Sequence, residues 1–338
     1  MSLTSVTIIS PEAANGRNVV ALGVVNALAS TKRTGVFRPA VCKKDTFTDV
    51  LVDAANAGLT REQSVAVCPK RAREDKAGAR ADIVAKYQEA VAASKAEAMV
   101  IVGTDKSSVN DPSAFAFNAD VAADLASPVF LAVCTIDRTP EQLAATVAAS
   151  TKVIEDAGTK VLGVFVTGAE DDQVTPSKEA LSNAGVPVWV LPKVDVAAEG
   201  GAEAASEAFV ENVPAEEVVN ALAADFDAPV TPYAFQYSLL GKAKADKKTI
   251  VLPEGEEDRI LKAADYLLER DIVNLIIVGE KDEILARGKE LGLDSLEKAS
   301  FQSKNDEDVL KPMVDKLCEL RAKKGMTEEQ ARKQLADA

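Results

Sequence analysis

The chain has 338 residues, of which 47% are apolar and 27% are charged, and its formal net charge is −14 at neutral pH. This acidity argues against nucleic acid or an anionic membrane as a partner, because both are bound through an excess of Lys and Arg. The sequence contains no histidine, which excludes general-base, metal-ligand and triad chemistry built on imidazole. We expect no metal site.

The cysteines and the hydropathy pattern indicate the compartment. The four cysteines are scattered without CxxC spacing, which is typical of reduced, mostly buried thiols, at positions Cys42, Cys68, Cys134 and Cys318. No apolar run approaches the length of a membrane span, and the N-terminus lacks the basic segment of a signal peptide. These features predict a soluble cytoplasmic protein.

Residues 1–195 alternate short apolar runs with amphipathic stretches, the pattern of βαβ units on a parallel sheet. Aromatic residues are scarce, so this core is expected to consist mainly of aliphatic side chains, as in buried parallel strands. A helix start is predicted at Thr139-Pro140-Glu141-Gln142, which has the composition of a capping box. The predicted strands cover residues 6–9, 35–37, 99–102, 129–133, 161–166 and 186–190.

The composition changes over residues 196–230, where Ala and Glu dominate and a Gly-Gly pair occurs at 200–201. No strand pattern is present in this stretch. We interpret it as a partly helical linker or a peripheral segment.

The α/β rhythm resumes over residues 231–338. Helices are predicted at about 233–245 and 256–270, and two further helices after Asn305 are separated at Lys324-Gly325. Only two strands are convincing in this part, at 249–252 and 274–279. Two strands cannot close a stable α/β domain, and the last helix reaches Ala338 without a stop signal. We therefore expect an incomplete α/β lobe.

The first candidate site follows the first predicted strand. A P-loop, G-x-x-x-x-G-K-[ST], holds phosphates with backbone N–H groups, a Lys and a Mg²⁺-binding hydroxyl. Here the spacing is kept over residues 11–18, but Pro11 replaces the first Gly, Arg17 the Lys and Asn18 the Ser or Thr, whereas Gly16 is retained. Glu12 adds negative charge. We interpret Gly16, Arg17 and Asn18 as a degenerate phosphate loop; weak anion or nucleotide binding at the helix start is the alternative.

The second candidate site is the run Ile250-Val251-Leu252-Pro253-Glu254-Gly255-Glu256-Glu257-Asp258-Arg259. A predicted strand ends here and turns into a helix whose first turn is acidic, which suits the positive helix terminus. The carboxyl ends of parallel strands form the crevice where α/β proteins bind ligands. Pro253, Glu254 and Gly255 would form a loop of that cleft, with Arg259 beside it.

These segments carry a family resemblance. The strand, loop and helix of residues 6–29, together with Val36-Phe37-Arg38-Pro39, residues 118–125 and Gly163–Val166, resemble the dethiobiotin-synthetase-like domain of long bacterial phosphate acetyltransferases. Residues 231–235, the 252–259 run, Ile277-Val278-Gly279 and residues 317–327 resemble the opening of the phosphate acetyl/butyryltransferase domain. A further domain that many long members carry between these two has no room in the short linker.

The resemblance implies an activity and roles for two arginines. The family catalyses the reversible reaction of acetyl-CoA and phosphate to acetyl phosphate and CoA in acetate metabolism, in a cleft between two α/β lobes. By this resemblance Arg259 and Arg321 contact the CoA phosphates, which suits the bidentate fit of guanidinium to phosphate. The resemblance also implies that an Asp promotes formation of the CoA thiolate and that Arg and Ser groups stabilise the transition state.

The same resemblance sets the remaining expectations. The catalytic residues are expected beyond Ala338, so that none is named here and the chain alone is expected to be inactive. CoA enters as a substrate and no cofactor is implied; the full-length protein is expected to form a homo-oligomer. Two alternatives stay open: a regulatory or oligomerisation module without activity of its own, and an ATP-dependent synthetase of the dethiobiotin type, against which the lost Lys and hydroxyl count.

Overall fold

The computed structural model describes residues 3–12, 16–104 and 113–336. The chain forms two compact units, Met1–Tyr237 (unit 1) and Ser238–Ala338 (unit 2). No helix in the described ranges is both long and apolar enough to cross a membrane.

Unit 1 is built on a seven-stranded parallel sheet in the order β3-β2-β4-β1-β5-β6-β7. Its six long strands confirm the predicted ones, because uninterrupted apolar runs suit strands that are buried on both faces. The short edge strand β3 was missed, since three half-buried residues carry no clear pattern. The strands are β1 (Thr4–Ile9), β2 (Thr34–Ala40), β3 (Val65–Val67), β4 (Ala98–Val102), β5 (Val129–Cys134), β6 (Val161–Ala169) and β7 (Val188–Pro192).

Helices cover both faces of this sheet. Val6 and Ile8 of β1 belong to one apolar cluster with α1, whereas Ile9 belongs to a cluster on the other face. The predicted capping box at the start of α6 is confirmed, with Thr139 and Gln142 exchanging hydrogen bonds. The helices are α1 (Arg17–Ala29), α2 (Phe47–Ala54), α3 (Pro69–Glu74), α4 (Lys76–Ser94), α5 (Ala114–Asp124), α6 (Pro140–Asp156), α7 (Asp171–Ala180), α8 (Gly201–Asn212) and α9 (Ala215–Leu222).

The structure differs from the predicted linker at 196–230. Within this stretch, α8 and α9 pack onto the sheet of unit 1, and Phe209 of α8 is buried and stacks on Phe165 of β6, with 5.8 Å between ring centroids. A Cβ at Gly23 of α1 would collide with the Phe209 ring, so the two helices approach closely. Ala and Glu dominate α8, and only a narrow stripe of its surface is apolar. The composition therefore did not indicate that this helix packs on the sheet.

Unit 2 contains a three-stranded parallel sheet in the order β10-β9-β8. The third strand corrects the prediction of two, and the predicted break between the last two helices is confirmed at Gly325, whose φ is 67°. Helix α10 (Pro232–Ala245) leads from unit 1 into unit 2. The other elements are β8 (Thr249–Leu252), α11 (Asp258–Glu269), β9 (Asn274–Val278), α12 (Lys281–Leu291), β10 (Ser300–Gln302), α13 (Glu307–Arg321) and α14 (Glu328–Ala336).

The small core of unit 2 lies around β9, where Leu275 and Ile277 pack with Leu261 of α11. Strand β8, in contrast, is an open edge: Ile250 is 42% and Val251 55% exposed, although they point to opposite faces. Parallel strands are normally buried on both faces. The incomplete lobe that the sequence predicts stays a prediction.

Candidate functional site

The degenerate phosphate loop lies between β1 and α1, at the carboxyl edge of the sheet in unit 1. Arg17 is only 2% exposed. Its Nη1 donates to the carbonyl oxygen of Gly103, after β4, at 2.7 Å, and its Nη2 donates to Oδ1 of Asn18 at 2.6 Å. The guanidinium therefore binds protein atoms of the loop and the neighbouring strand, where the Lys of a P-loop would reach a phosphate.

A carboxylate of the same loop, like Arg17, contacts other groups of the protein. Glu12 accepts a hydrogen bond from the backbone N–H of Cys134, at the end of β5, at 2.9 Å. The other carboxylate oxygen pairs with Nη1 of Arg138, whose pKa is lowered by partial burial. The Glu12 carboxylate, an anion of the protein itself, thus binds a backbone donor and a cation at this edge of the sheet. Residues 13–15 of the loop lie outside the described residues.

A cavity of about 540 Å³ opens beside the loop. It is lined by Gly16, Arg17 and Asn18 from the loop, by Thr167 at the end of β6 and by Lys193 after β7, among others. Its volume lies within the range of small-molecule sites. A cavity of this size has room for a small ligand. Weak binding of an anion or a nucleotide at the start of α1, the alternative to a degenerate loop, stays a prediction.

Gly16 is required by both its backbone and its surroundings. Its φ of 69° is a conformation that other residues adopt at a cost, and a Cβ would come within 2.7 Å of the Thr167 side chain. Gly200, with a φ of 71°, has open space at the same position.

We expect Gly16→Ala to destabilise unit 1 by about 2–4 kcal/mol, since strain and overpacking add. Gly200→Ala, the matched control, should cost about 1–2 kcal/mol, because only the backbone strain applies. Urea unfolding followed by the fluorescence of Trp189 compares the two. Equal losses would show that the contact with Thr167 is unimportant.

The second candidate site lies at the carboxyl edge of the sheet in unit 2. Pro253 and Glu254 follow β8 and are exposed, whereas Gly255 is buried. A Cβ at Gly255 would collide with the carbonyl oxygen of Val278, at the end of β9. The absence of a side chain at Gly255 thus lets the 253–257 turn lie directly against the neighbouring strand end.

The start of α11 is held by a pair that the sequence analysis missed. Arg287 of α12 donates from Nε and Nη2 to both carboxylate oxygens of Asp258, at 2.8 Å each. The hydrogen bonds from Arg287 hold the pKa of Asp258 below its usual range. The two residues are 29 positions apart, so no local pattern could have indicated the pair.

The two predicted CoA-binding arginines are both exposed. Arg259, in the first turn of α11, is 91% exposed at its side chain and lies 3.8 Å from Glu257. Arg321 is the last residue of α13. Both side chains are thus accessible to a ligand.

Nothing in the described ranges groups three or more Cys, Asp or Glu side chains so that they could hold a metal ion. The cysteines in these ranges are free thiols.

Comparison with known proteins assigns the two parts separately. Residues 4–199 match the family model described as "AAA domain", and residues 234–338 match the model described as "Phosphate acetyl/butaryl transferase". Among solved structures, a chain of the MinC:MinD cell division protein complex of Aquifex aeolicus is 12% identical with a TM-score of 0.40, covering 67% of this chain and 98% of that one.

Several curated proteins named phosphate acetyltransferase are similar to parts of the chain. That of Salmonella typhimurium is 33% identical over 190 residues, which are 55% of this chain and 25% of that protein. That of Helicobacter pylori is 41% identical over 108 residues (32% and 21%), and that of Nitratidesulfovibrio vulgaris is 35% identical over 133 residues (38% and 18%). The chain thus spans a quarter or less of these relatives.

The two family matches confirm the resemblance inferred from the sequence, including the order of the two parts. The first match covers more than half of the chain. The chain therefore belongs to the AAA domain family through residues 4–199, and its residues 234–338 are similar to the phosphate acetyl/butaryl transferase family.

Proposed function

We propose that this chain is part of a phosphate acetyltransferase, which interconverts acetyl-CoA and phosphate with acetyl phosphate and CoA. The observation that carries the proposal is the match of residues 234–338 to the phosphate acetyl/butaryl transferase model. The turn at 253–257 supports it, because Gly255 packs against β9 and leaves Arg259 exposed at the sheet edge. CoA, acetyl phosphate and phosphate are the proposed ligands, with no cofactor, in a cytoplasmic homo-oligomer.

In this proposal Arg259 and Arg321 bind phosphate groups of CoA. A guanidinium presents several donors in a plane, which match phosphate oxygens in pairs. The groups that act on the acetyl carbon and the thiol are proposed to lie in parts of the acyltransferase domain other than residues 234–338. Binding and chemistry are thereby divided between different segments of one domain.

A first test follows from this division. We expect purified chain 1–338 to produce no acetyl phosphate from acetyl-CoA and phosphate, because groups that stabilise the transition state are required for the chemical step. Release of CoA thiol, measured with a thiol reagent against a sample without protein, gives the rate. A protein that also contains the rest of the domain is the positive control.

The two possible failures of this test mean different things. Turnover by chain 1–338 would show that its own residues catalyse the reaction. Absence of turnover in the longer protein would contradict the proposed function itself.

For unit 1 we propose a regulatory or oligomerisation role within that enzyme, without nucleotide hydrolysis. The contacts of Arg17 with Gly103 and of Glu12 with Cys134 support this proposal, since both sets of groups are used within the protein. They weigh against an ATP-dependent synthetase, because phosphoryl transfer depends on a Lys and on a hydroxyl that holds Mg²⁺.

We expect no Mg²⁺-dependent release of phosphate from ATP or GTP by the chain. Phosphate is measured colorimetrically with and without Mg²⁺, and Arg17→Ala serves as the comparison. Hydrolysis that requires Mg²⁺ and is lost in Arg17→Ala would favour the synthetase alternative instead.

A further inference from the structure

Residues 225–231 connect α9 to α10 and form neither helix nor strand. We define residues 225–233, which include the first residues of α10, as the strap. Its sequence, Asp-Phe-Asp-Ala-Pro-Val-Thr-Pro-Tyr, gives no reason to expect a fixed position. The structure nevertheless shows contacts with the body of unit 1 near both of its ends.

The first anchor lies at Lys160, just before β6. Its ammonium group donates to the carbonyl oxygen of Asp225 and lies 5.7 Å from the centre of the Phe226 ring. Further along, Pro229 lies beside Gly158, where a Cβ would come within 3.2 Å of the proline ring. One lysine and one glycine of the same turn thus fix the beginning and middle of the strap.

The second anchor is Tyr233, in the first turn of α10. Its ring lies 4.7 Å from the guanidinium carbon of Arg80 on α4, and it packs against the apolar cluster that α4 and α5 form with β2 and β4. A guanidinium over an aromatic face is attractive, and more so when both are partly removed from water.

Arg80 is itself held in place. Its Nε and Nη2 donate to the two carboxylate oxygens of Asp124, at 2.5 and 2.9 Å, and the Asp124 side chain is only 1% exposed. Since this bidentate pair fixes the plane of the guanidinium, the face that Tyr233 contacts is present before the strap binds.

We propose that the strap is a conformational device by which unit 1 fixes the start of α10, and that the Arg80–Tyr233 contact is its release point. The match to the phosphate acetyl/butaryl transferase model begins at residue 234, one residue after this anchor. Any change in unit 1 that moves Arg80 therefore frees the first turn of that segment. The proposal concerns the contacts of unit 1 and does not depend on the proposed enzymatic activity.

The test is hydrogen–deuterium exchange of the 338-residue chain, followed by mass spectrometry of peptides that cover residues 231–237. Ala234 donates its N–H to the Thr231 hydroxyl at 3.3 Å, and Phe235 donates its N–H to the Thr231 carbonyl at 2.9 Å, so these amides report on the first turn. Tyr233→Leu keeps an apolar helix-forming side chain and removes the aromatic face. We expect exchange to become roughly tenfold faster, as for loss of one desolvated cation–π contact.

Tyr237→Leu is the matched control, because it makes the same change one turn later on α10. Arg80→Lys retains a charge for Asp124 and loses the planar group, so it should act like Tyr233→Leu. Fluorescence of Trp189 in β7 checks that the sheet stays folded. If Arg80→Lys loosens the sheet, Tyr233→Leu decides, since it leaves the Arg80–Asp124 pair intact. Unchanged exchange in Tyr233→Leu, or an equal increase in Tyr237→Leu, would overturn the proposal.

Discussion

Replacing Arg259 or Arg321 by alanine in an enzyme that contains the whole acyltransferase domain is expected to raise KM for CoA by about one to two decades. A hydrogen bond between charged groups contributes about 1.5–3 kcal/mol, and 1.4 kcal/mol corresponds to a factor of ten. Because the phosphates of CoA lie far from the reacting sulfur, such contacts stabilise the ground state and the transition state about equally. Loss of such contacts changes KM and leaves kcat nearly intact.

Steady-state kinetics with each substrate varied in turn measure this effect, and KM for acetyl phosphate should change much less. Arg→Lys should restore only part of the affinity, since a point charge does not reproduce the planar fork. Arg270→Ala is the matched control: this arginine lies at the opposite end of α11 and stacks on Tyr266, 3.8 Å from the ring centre. An unchanged KM for CoA in both variants would show that Arg259 and Arg321 are ordinary surface residues.

Asp45→Ala is expected to destabilise unit 1 by about 3 kcal/mol, the lower end of the range for breaking a buried ion pair. Arg38 of β2 is fully buried, and its Nη1 lies 3.3 Å from Oδ2 of Asp45 and 3.2 Å from the Thr48 hydroxyl. The same carboxylate accepts the backbone N–H of Thr48 in the first turn of α2, at 2.9 Å. Removal of the Asp45 carboxylate therefore takes a partner from the buried Arg38 and a hydrogen-bond acceptor from the start of α2.

Asp49→Ala provides the comparison, because it removes a carboxylate from the same helix. Asp49 is 55% exposed and pairs with the partly exposed Arg61. Pairs of this kind contribute about 0–1 kcal/mol. Urea unfolding followed by Trp189 fluorescence gives the difference in the free energy of unfolding. A loss for Asp45→Ala no larger than that for Asp49→Ala would mean that Arg38 does not depend on Asp45.

The parallel-sheet architecture of unit 1 was predictable because its signal is local. The strands at 129–134 and 161–169 are nearly continuous apolar runs. Such runs indicate a strand whatever elements the strand packs against. The capping box at Thr139 and the break at Gly325 are local for the same reason. Strand β10, only three residues long, forms because β9 offers it a parallel neighbour, and no pattern within Ser300–Gln302 could indicate that.

For the candidate sites, too, the local features were predictable and the distant contacts were not. The replacements at Pro11, Arg17 and Asn18 can be seen in the sequence, and they predict loss of P-loop chemistry from the properties of the side chains alone. Which groups Arg17 and Glu12 contact instead could not be predicted. Those partners, Gly103 just after β4 and Cys134 at the end of β5, are 86 and 122 positions away.

By itself, the sequence determined the fold class and the order of the two parts, because periodicity, capping and motif spacing are properties of neighbouring residues. Only the tertiary structure decided that residues 201–222 belong to the core of unit 1, that Arg287 holds the start of α11, and that Lys160 and Arg80 bind the strap. These contacts join residues that are distant in the sequence, such as Arg287 and Asp258, 29 positions apart, and folding of the chain brings them together. A side chain's partners are set by that three-dimensional packing, which no local pattern encodes.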